Sequence, residues 1–498
     1  MNEHRTPSPS NPRYVSNTIS LGVFSIFSMF LGLAGTILIT HHFSTEDFGV
    51  YTLVLVLVSF LSQISTFGLD MAVSRFIAGA KDEESKERFL STSVVIRIGA
   101  ILLASLFMWF GEPLLRMLFG QSLQPGVILY VPLLFAVESF RTLLKSILQG
   151  VLRFTQIGIS DLFTSSTNFF LVLVVVFGIN GNINDLILSK VFSTFLGAGV
   201  ALVSIPIKKR ISFNADIFRE LMKFGFPLQI NDFLSFIFLR IDTIVIAAFL
   251  GPTEIALYEV ARKIPDYLRN LYEPFRLVYY PNVAKGYLQE GRVQSSSILN
   301  AAVRFVAFVT LFGTAFAILF GHEIIQFLFS DKYTSSAPIL ALLMFNLSIA
   351  LTSNVMGTTL VAVGDTQKPM IINIFNALAS WLGSISLVPV YALLGAAIAN
   401  TLGTIVAYPL NIYFLRKKMD LGNISYLKPL GLFCIWYLLV FLLNPTSFVM
   451  KVVLLIIFLL GGFSLSIITK DDLIHLIEES GITFFGPLKK LKMYFTKQ

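Results

Sequence analysis

The segment TEIALYEVARKIPDYLRNLYEPFRLVYYP, residues 253–281, decides how many helices this chain passes through a membrane. Hydropathy alone would miss this segment, because charged residues, Pro265 and Pro274 interrupt its apolar positions. At about 100° per residue, all of its charges fall within about half of a helix circumference, and apolar side chains fill the other half. The pattern predicts a helix with one face for lipid or packing and the other face for water.

The composition of the whole chain is that of a membrane protein. Of its 498 residues, 55% are hydrophobic and 13% are charged, and the mean hydropathy is +0.77. These values exclude a disordered chain, a disulfide scaffold and an ordinary soluble enzyme. Because Cys434 is the sole cysteine, the chain forms no internal disulfide and no cysteine-based metal site, and we expect Cys434 to be buried.

The apolar stretches are long enough to cross a bilayer as helices, because about twenty residues at ~1.5 Å each span the ~30 Å hydrocarbon layer. We predict fourteen transmembrane helices at residues 16–40, 49–78, 89–110, 126–150, 158–179, 183–205, 224–250, 253–281, 297–320, 336–362, 369–391, 394–415, 427–443 and 448–468.

Arginine and lysine are distributed very unequally between the two faces of this arrangement. The termini and alternate loops carry most of them, whereas the loops of the other face hold only Arg116 and Lys332. Basic loops stay in the cytoplasm, so both termini are predicted to be cytoplasmic. The same asymmetry accounts for most of the net charge of +8 and removes any need to invoke nucleic acid. If residues 253–281 formed a surface helix instead, the helix count would be odd and every later loop would change sides.

A weak internal repeat relates the two halves of the chain. ILITHHFSTEDFGVY, residues 37–51, aligns with IVIAAFLGPTEIALY, residues 244–258. Two repeats of six helices each run in the same direction, related by a pseudo-two-fold axis along the membrane normal. The predicted organisation is a disordered cytoplasmic tail at 1–15, an N-terminal six-helix bundle at 16–210, a cytoplasmic linker at 211–223, a C-terminal six-helix bundle at 224–418, helices 13 and 14 at 419–468, and a cytoplasmic amphipathic tail at 469–498.

Several charges lie inside the predicted spans, where an Arg, Lys or Asp costs roughly 2.5 to 3.5 kcal/mol even on the mildest scale. Such charges indicate a water-filled path or a polar ligand, and therefore a transporter. In the fourth helix, Arg141 and Lys145 share one face with Glu138. Two neighbouring cations suit an anionic ligand, although pairing with another helix is an equal alternative. Arg240 and Asp242 form a second polar face in the seventh helix.

Signals for other chemistry are thin. Arg75, Arg97 and Arg304 stand nearer the cytoplasmic ends of their helices, where snorkelling to the headgroups is an equal alternative to a place in the lumen. Adjacent His41 and His42 with Glu46 and Asp47 form no convincing metal site, and no metal or catalytic residue is expected.

Four motifs resemble one family of membrane proteins, the polysaccharide and oligosaccharide-lipid flippases. They are STEDFGVY at 44–51, STFGLDMAVSRF at 65–76, RIDTIVIAAFLGPTEIALYEVARKI at 240–264 and VAVGDTQKP at 361–369. This family lies within the multidrug, oligosaccharidyl-lipid and polysaccharide exporter superfamily. The resemblance implies an all-α polytopic fold that works by alternating access of two bundles.

The resemblance also implies a cargo and a location. The chain would flip a polyprenyl-diphosphate-linked oligosaccharide from the inner to the outer leaflet of the cell membrane, coupled to H⁺ or Na⁺, without a cofactor and not as an enzyme. Its other partners would be the lipid bilayer and other polysaccharide assembly proteins. The alternatives are a drug or organic-cation antiporter of the same fold and, less favoured, a membrane glycan polymerase or ligase.

A diphosphate needs basic side chains, and Arg binds it best through its planar fork of donors. The residues predicted to bind it in the lumen are Arg75, Arg141, Lys145, Arg240, Arg262, Lys263, Arg269 and Arg276. The candidates for ion coupling are Asp232, Asp242 and Glu259. Because a carboxylate beside Arg is usually ionised and structural, the sequence does not separate that role from ion coupling.

Overall fold

The computed structural model describes residues 12–80, 82–119, 129–206, 212–365, 367–419 and 426–467. These residues are helical and contain no β-strand. In chain order the helices are α1 (Pro12–His42), α2 (Thr45–Ser65), α3 (Leu69–Gly79), α4 (Glu83–Phe119), α5 (Tyr130–Gly150), α6 (Phe154–Leu173), α7 (Ile183–Val203), α8 (Ala215–Phe249), α9 (Pro252–Lys285), α10 (Arg292–Phe329), α11 (Ala337–Ala362), α12 (Gln367–Arg416), α13 (Leu427–Leu443) and α14 (Phe448–Ser464).

The predicted spans coincide with these helices. Each of the fourteen predicted stretches overlaps helical residues in the described part of the chain. Eight of the described helices are long and apolar enough to cross a membrane, and α13 and α14 are apolar but shorter. The protein is therefore an all-α polytopic membrane protein, as predicted. The number of crossings stays a prediction, and the predicted tail at 469–498 lies outside the described residues.

Short polar residues begin several of these helices. The side-chain oxygen of each accepts a hydrogen bond from a backbone N–H of the first turn, which has no partner within the helix. They are Ser44 before α2, Asp82 before α4, Asn182 before α7 and Asn214 before α8. At Asp82, the hydrogen bond from the Ser85 backbone N–H also holds the pKa of the exposed carboxyl below its usual value.

The predicted second helix, residues 49–78, is broken in the structure into α2 and α3. Phe67 and Gly68 both have positive φ, 47° and 69°. A Cβ on Gly68 would lie 1.9 Å from the backbone oxygen of Gly225 in α8, so only glycine permits this approach. Hydropathy cannot detect the break, because both sides of it are equally suited to a membrane.

The break between the predicted eleventh and twelfth helices is confirmed within α12. Ala392 has φ 48° and ψ −129°, which interrupts an otherwise helical run between residues 391 and 394. A Cβ on Gly395 would lie 2.2 Å from the backbone oxygen of Leu387, so glycine allows the two pieces to turn closely on one another.

The chain divides into two compact units. Unit 1 comprises Met1–Val260, Ile325–Ser336 and Ser380–Ala399, and unit 2 comprises Ala261–Ile324, Ala337–Ala379 and Asn400–Gln498. The helix α9 begins in unit 1 and continues into unit 2. The predicted division into bundles at 16–210 and 224–418 stays a prediction.

The core of unit 1 is built from α3, α5, α7 and α8. Its members are almost fully buried and include Leu69, Val73, Ile77, Leu143, Leu144, Ile147, Ala201 and Leu221. Small residues bring α6 and α7 together, since a Cβ on Gly197 would lie 1.8 Å from the Thr164 hydroxyl oxygen. The Ser160 hydroxyl also donates to the Gly197 carbonyl over 2.9 Å. Close backbone packing of this kind holds helices together in lipid, where apolar burial gives little driving force.

The core of unit 2 is aromatic. Phe308 of α10 stacks on Phe458 of α14, with ring centroids 5.5 Å apart, and Trp436 of α13 meets Phe458 edge-on. The Trp436 indole N–H donates to the Leu454 carbonyl over 2.8 Å, so its polar atom is satisfied. Cys434, in the same helix, is exposed, and the prediction that it is buried was wrong.

Candidate functional site

Three long helices carry the charges singled out by the sequence. Eight described helices are identified as candidate membrane spans by length and composition, and α5, α8 and α9 are the other described helices of at least 18 residues. All three overlap predicted spans. The candidate site residues other than Arg75 lie on these three helices.

In unit 1, α5 and α6 are joined by an ion-pair network, here called the α5–α6 network, of Glu138, Arg141, Lys145 and Asp161. Arg141 contacts Glu138 and Asp161, each at 2.8 Å, and Lys145 Nζ contacts both Asp161 oxygens at 2.8 Å. The four side chains are 15 to 30% exposed. The structure thus brings Arg141 and Lys145 together on the carboxylate of Asp161. The sequence alone assigned no partner to this acid.

A third basic residue acts electrostatically on the α5–α6 network. Lys190 of α7 is half-buried and close enough to act electrostatically on Glu138. A partly exposed network with neighbouring cations suits an anionic ligand.

The helix α8 contacts the start of α9 through two of the predicted ion-coupling carboxylates. Glu259 is buried and lies 3.5 Å from Arg240 Nη1. Asp242, 1% exposed, accepts the Tyr258 hydroxyl at 2.7 Å and the Thr243 backbone N–H at 2.8 Å. Both carboxylates therefore tie α8 to α9. The side chain of Asp232 lies outside the part of the chain that the structure describes.

In unit 2, the predicted cations of α9 form ion pairs along the helix itself. Arg262 contacts Asp266 at 3.1 Å, and Arg269 contacts the same carboxylate at 3.6 Å. Arg276 contacts Glu273 at 2.8 Å. The exposed fraction rises from 6% at Arg262 to 26% at Arg269 and 50% at Arg276, so the cations become more accessible towards the C-terminal end of α9.

The predicted two-faced character of α9 holds only in part. Glu259 and Arg262, on the face assigned to water, are buried, whereas the 52% exposure of Leu271 agrees with a face for lipid. Ion pairing explains the burial of the two charges, because a paired charge can leave water at lower cost than a single one. The first turns of α9 are not a solvated surface helix, since Ile255, Ala256 and Val260 are fully buried.

The two remaining predicted cations are Lys263 and Arg75. Lys263 is half-buried on α9. Arg75 of α3 is exposed and lies over the ring of Phe224, 4.2 Å from its centroid. The guanidinium thereby packs α3 onto the beginning of α8.

The sequence missed the most deeply buried charge in the described residues. Arg97 of α4 is 0% exposed and pairs with Asp70 of α3, whose side chain is 25% exposed. The snorkelling considered for Arg97 does not occur, because Asp70 and the Ser139 hydroxyl give the guanidinium partners inside unit 1. Residue spacing along the chain could not predict this pair, because Arg97 and Asp70 lie on different helices.

The sequence also missed Gln229 of α8, which completes the α2–α3 break. Its amide oxygen accepts the Gly68 backbone N–H at 2.8 Å, and its amide nitrogen donates to the Gln63 carbonyl. A broken helix leaves such groups without partners, and lipid offers none. One buried amide therefore satisfies both sides of the break.

Metal chemistry finds no support among the described residues, where no group of three or more His, Cys, Asp or Glu side chains is arranged to hold a metal. What the geometry offers is paired cations within predicted membrane spans. Such groups bind, orient and release anions; they do not form a catalytic set of nucleophile and base.

Comparison with known sequences identifies a family. Residues 42–338 match the family described as polysaccharide biosynthesis protein. The capsular polysaccharide biosynthesis protein CapF of Staphylococcus aureus is 21% identical over 252 residues, 50% of this chain and 64% of that protein. The match therefore spans less than two thirds of that relative. An uncharacterized membrane protein of Methanocaldococcus jannaschii is 23% identical over 418 residues, 75% of this chain and 78% of that protein.

Solved structures show the same fold. The lipid II flippase MurJ in an inward closed conformation has a TM-score of 0.72 at 19% identity and covers 89% of this chain and 98% of its own. A multidrug resistance MATE family transporter of the MOP superfamily, facing inward, has a TM-score of 0.65 at 16% identity and covers 78% of this chain and 94% of its own. These neighbours are a flippase and a transporter, and at these identities they show the fold of the chain alone. With more than half of its length matched, the chain belongs to the polysaccharide biosynthesis protein family and has the fold of the MOP-superfamily flippases and transporters.

Proposed function

We propose that this protein flips a polyprenyl-diphosphate-linked oligosaccharide from the inner to the outer leaflet of the cell membrane, with both termini in the cytoplasm. The observation that carries the proposal is that seven of the eight candidate cations lie on α5, α8 and α9, while eight other described helices are apolar enough to span a membrane. Charged membrane helices are costly, and a polar cargo is the reason to keep them. Family membership favours a glycan as that cargo.

The cations have a defined role in this scheme. Arg141, Lys145 and Arg240 in unit 1, and Arg262, Lys263, Arg269 and Arg276 in α9, would exchange carboxylates for the diphosphate. Arg75 would act near the end of α3. A phosphate oxygen accepts the same N–H donors as a carboxylate, so the exchange keeps every guanidinium hydrogen-bonded. The sugars would stay in the hydrated path, and the polyprenyl tail would stay in lipid.

The test compares R269A/R276A with R88A in a strain that lacks its own flippase. Arg88 is an exposed partner of Glu84 in α4 and serves as the matched control. We expect R269A/R276A to accumulate lipid-linked oligosaccharide in the inner leaflet and to lose at least about tenfold in export, with normal protein in the membrane. Wild-type export by this double variant would refute the role of these cations.

A binding measurement separates the proposed cargo from a cationic drug. Purified protein should be stabilised against heat by farnesyl diphosphate, a short soluble prenyl diphosphate, and not by farnesol, and the shift should shrink as salt rises. Stabilisation by tetraphenylphosphonium without any effect of farnesyl diphosphate would favour the organic-cation antiporter instead.

We further propose that H⁺ or Na⁺ drives the cycle through Asp232, Asp242 and Glu259. Glu259 faces Arg240, so a change of its charge would alter the same cation that binds the diphosphate. In vesicles, export should stop when the gradient of the coupling ion is collapsed, whether that ion is H⁺ or Na⁺. E259Q should abolish that gradient dependence while farnesyl diphosphate still binds. Retention of gradient dependence by E259Q would remove Glu259 from the coupling.

A further inference from the structure

Unit 2 contains a cavity of about 970 Å³ among α10, α11, α13 and α14. Its wall is largely apolar and aromatic, with Leu342 and Phe345 from α11 and Phe433, Val440 and Phe441 from α13. None of the candidate cations of α5, α8 or α9 lines it. The cavity is therefore separate from the residues assigned to the cargo.

Polar residues gather at one end of this cavity. His322 and Glu323 lie near the end of α10, Asn444 follows α13, and Lys451 lies in the first turn of α14. The end of α10 and the end of α13 reach the same membrane face, because consecutive spans alternate in direction and α12 contains two of them, separated at Ala392. The charge distribution predicts this to be the outer face, so the polar end of the cavity lies at the outer interface.

Lys451 is an exception to the charge distribution of the chain. The outer loops hold only Arg116 and Lys332, so topology gives no reason for a lysine at the outer end of α14. Its Nζ pairs with Glu323 and lies 5.4 Å from the centroid of the Phe320 ring. The Lys451 side chain is 15% exposed and that of Glu323 is 50% exposed. The carboxylate therefore reaches solvent, while the ammonium is held against the protein.

We propose that this cavity binds one anionic phospholipid of the outer leaflet. The acyl chains would lie along the aromatic wall, and the phosphate would take the place of Glu323 at Lys451, with His322 beside it. The volume falls at the upper end of the usual range for ligand cavities, roughly 300–1,000 Å³. The surrounding bilayer supplies such a lipid at the interface where the polar end opens.

The charges at the mouth favour an anionic headgroup over a zwitterionic one. The Lys451 ammonium would donate a charge-assisted hydrogen bond to a phosphate oxygen, and the displaced Glu323 carboxylate is already half exposed to water. A zwitterionic headgroup would bring its own cation next to Lys451 and His322. The lipid would fill the space between the α10–α11 pair and the α13–α14 pair and hold them in one arrangement.

Quenching of Trp436 fluorescence tests the proposal. Trp436 is buried beside Phe433, a residue of the cavity wall, with ring centroids 5.9 Å apart. The full-length protein carries W109F and W381F so that Trp436 alone reports. It is placed in phosphatidylcholine nanodiscs, into which phosphatidylglycerol with brominated acyl chains is titrated. Brominated phosphatidylcholine serves as the headgroup control.

We expect brominated phosphatidylglycerol to quench Trp436 at a mole fraction at least fivefold below that of brominated phosphatidylcholine, about the effect of one charge-assisted contact. K451A should remove this preference. A341F, which places a ring in the cavity, should weaken quenching by both lipids. K417A, a matched loss of charge at the exposed end of α12, should change nothing.

Three outcomes would overturn the proposal. One is equal quenching by both headgroups in the unmodified cavity. Another is a phosphatidylglycerol preference that survives K451A. The third is displacement of brominated phosphatidylglycerol by undecaprenyl phosphate at a lower mole fraction than by unbrominated phosphatidylglycerol, which would make the cavity a cargo site. None of these depends on export, so they are distinguishable from failure of the proposed function.

Discussion

Helices α5 and α9 both carry charges into predicted membrane spans, but the structure pairs those charges differently. In α5, Arg141 and Lys145 are held by Asp161, a residue of the neighbouring helix α6. In α9, Arg262 and Arg269 share Asp266 of the same helix, and Arg276 pairs with Glu273 one turn away. One set of ion pairs joins two helices, and the other set runs along a single helix.

The difference separates cations that change partners only at a structural cost from cations that can change partners at small cost. A cross-helix network fixes the position of α5 against α6, and loss of one member leaves its partners paired incompletely in a poor solvent. Pairs three or four residues apart on one helix contribute only a few tenths of a kcal/mol. For the half-exposed Arg276, a change of partner therefore costs little.

The largest effect is expected from D161N. This change removes the carboxylate that Arg141 and Lys145 share and leaves the α5–α6 network with excess positive charge. We expect a loss of about 3 kcal/mol in the free energy of unfolding, measured in detergent by thermal or denaturant unfolding. D161N/K145M should recover much of that loss, because it removes a cation together with the acid. A stable D161N protein would show that the network does not hold α5 to α6.

The next effect is expected from Q229L, which tests whether a neutral cross-helix contact behaves like the ionic one. Leucine leaves the Gly68 N–H and the Gln63 carbonyl without their buried partner. We expect a loss of about 2 kcal/mol and faster hydrogen exchange at the α2–α3 break. Q229E is the matched variant, because it keeps an oxygen acceptor for the Gly68 N–H. We expect hydrogen exchange at Gly68 to increase less in Q229E than in Q229L.

A smaller effect is expected from Y258F at the contact between α8 and α9. The change removes the hydroxyl that donates to the buried Asp242 carboxylate at 2.7 Å. Because Asp242 keeps the Thr243 N–H as a donor, we expect a loss of about 1 kcal/mol. A double-mutant cycle of the wild type, Y258F, D242N and Y258F/D242N measures the coupling between the two side chains in unfolding free energy. A coupling near zero would show that Asp242 does not have this structural role.

The smallest effect on stability is expected from R276A. Its side chain is half exposed, and its pair with Glu273 runs along α9, so the unfolding free energy should change by less than about 0.5 kcal/mol. Export should nonetheless fall, since the cation is accessible to the diphosphate. A loss of stability comparable to that of D161N would erase the distinction between α5 and α9.

The site was predictable where its signal is local. Spacing on one helix placed Arg262 and Asp266 together, and α9 is a continuous helix as the pattern indicated. The partner of Arg141 and Lys145 was not predictable, because Asp161 lies on another helix and the sequence offers several equivalent acids. Arg97 was misjudged for the same reason, since its burial depends on Asp70.

The sequence by itself determined the membrane class, the succession of helices, the turn at Ala392 and the family. The first three features follow from hydropathy, residue spacing and loop charge, which depend on neighbours along the chain, and the family follows from the resemblance of four motifs. Only the tertiary structure decided the break at Phe67 and Gly68, the burial of Arg97 and which carboxylate neutralises which cation. Each of these depends on a close approach between helices, where satisfying a buried polar group outweighs local preference.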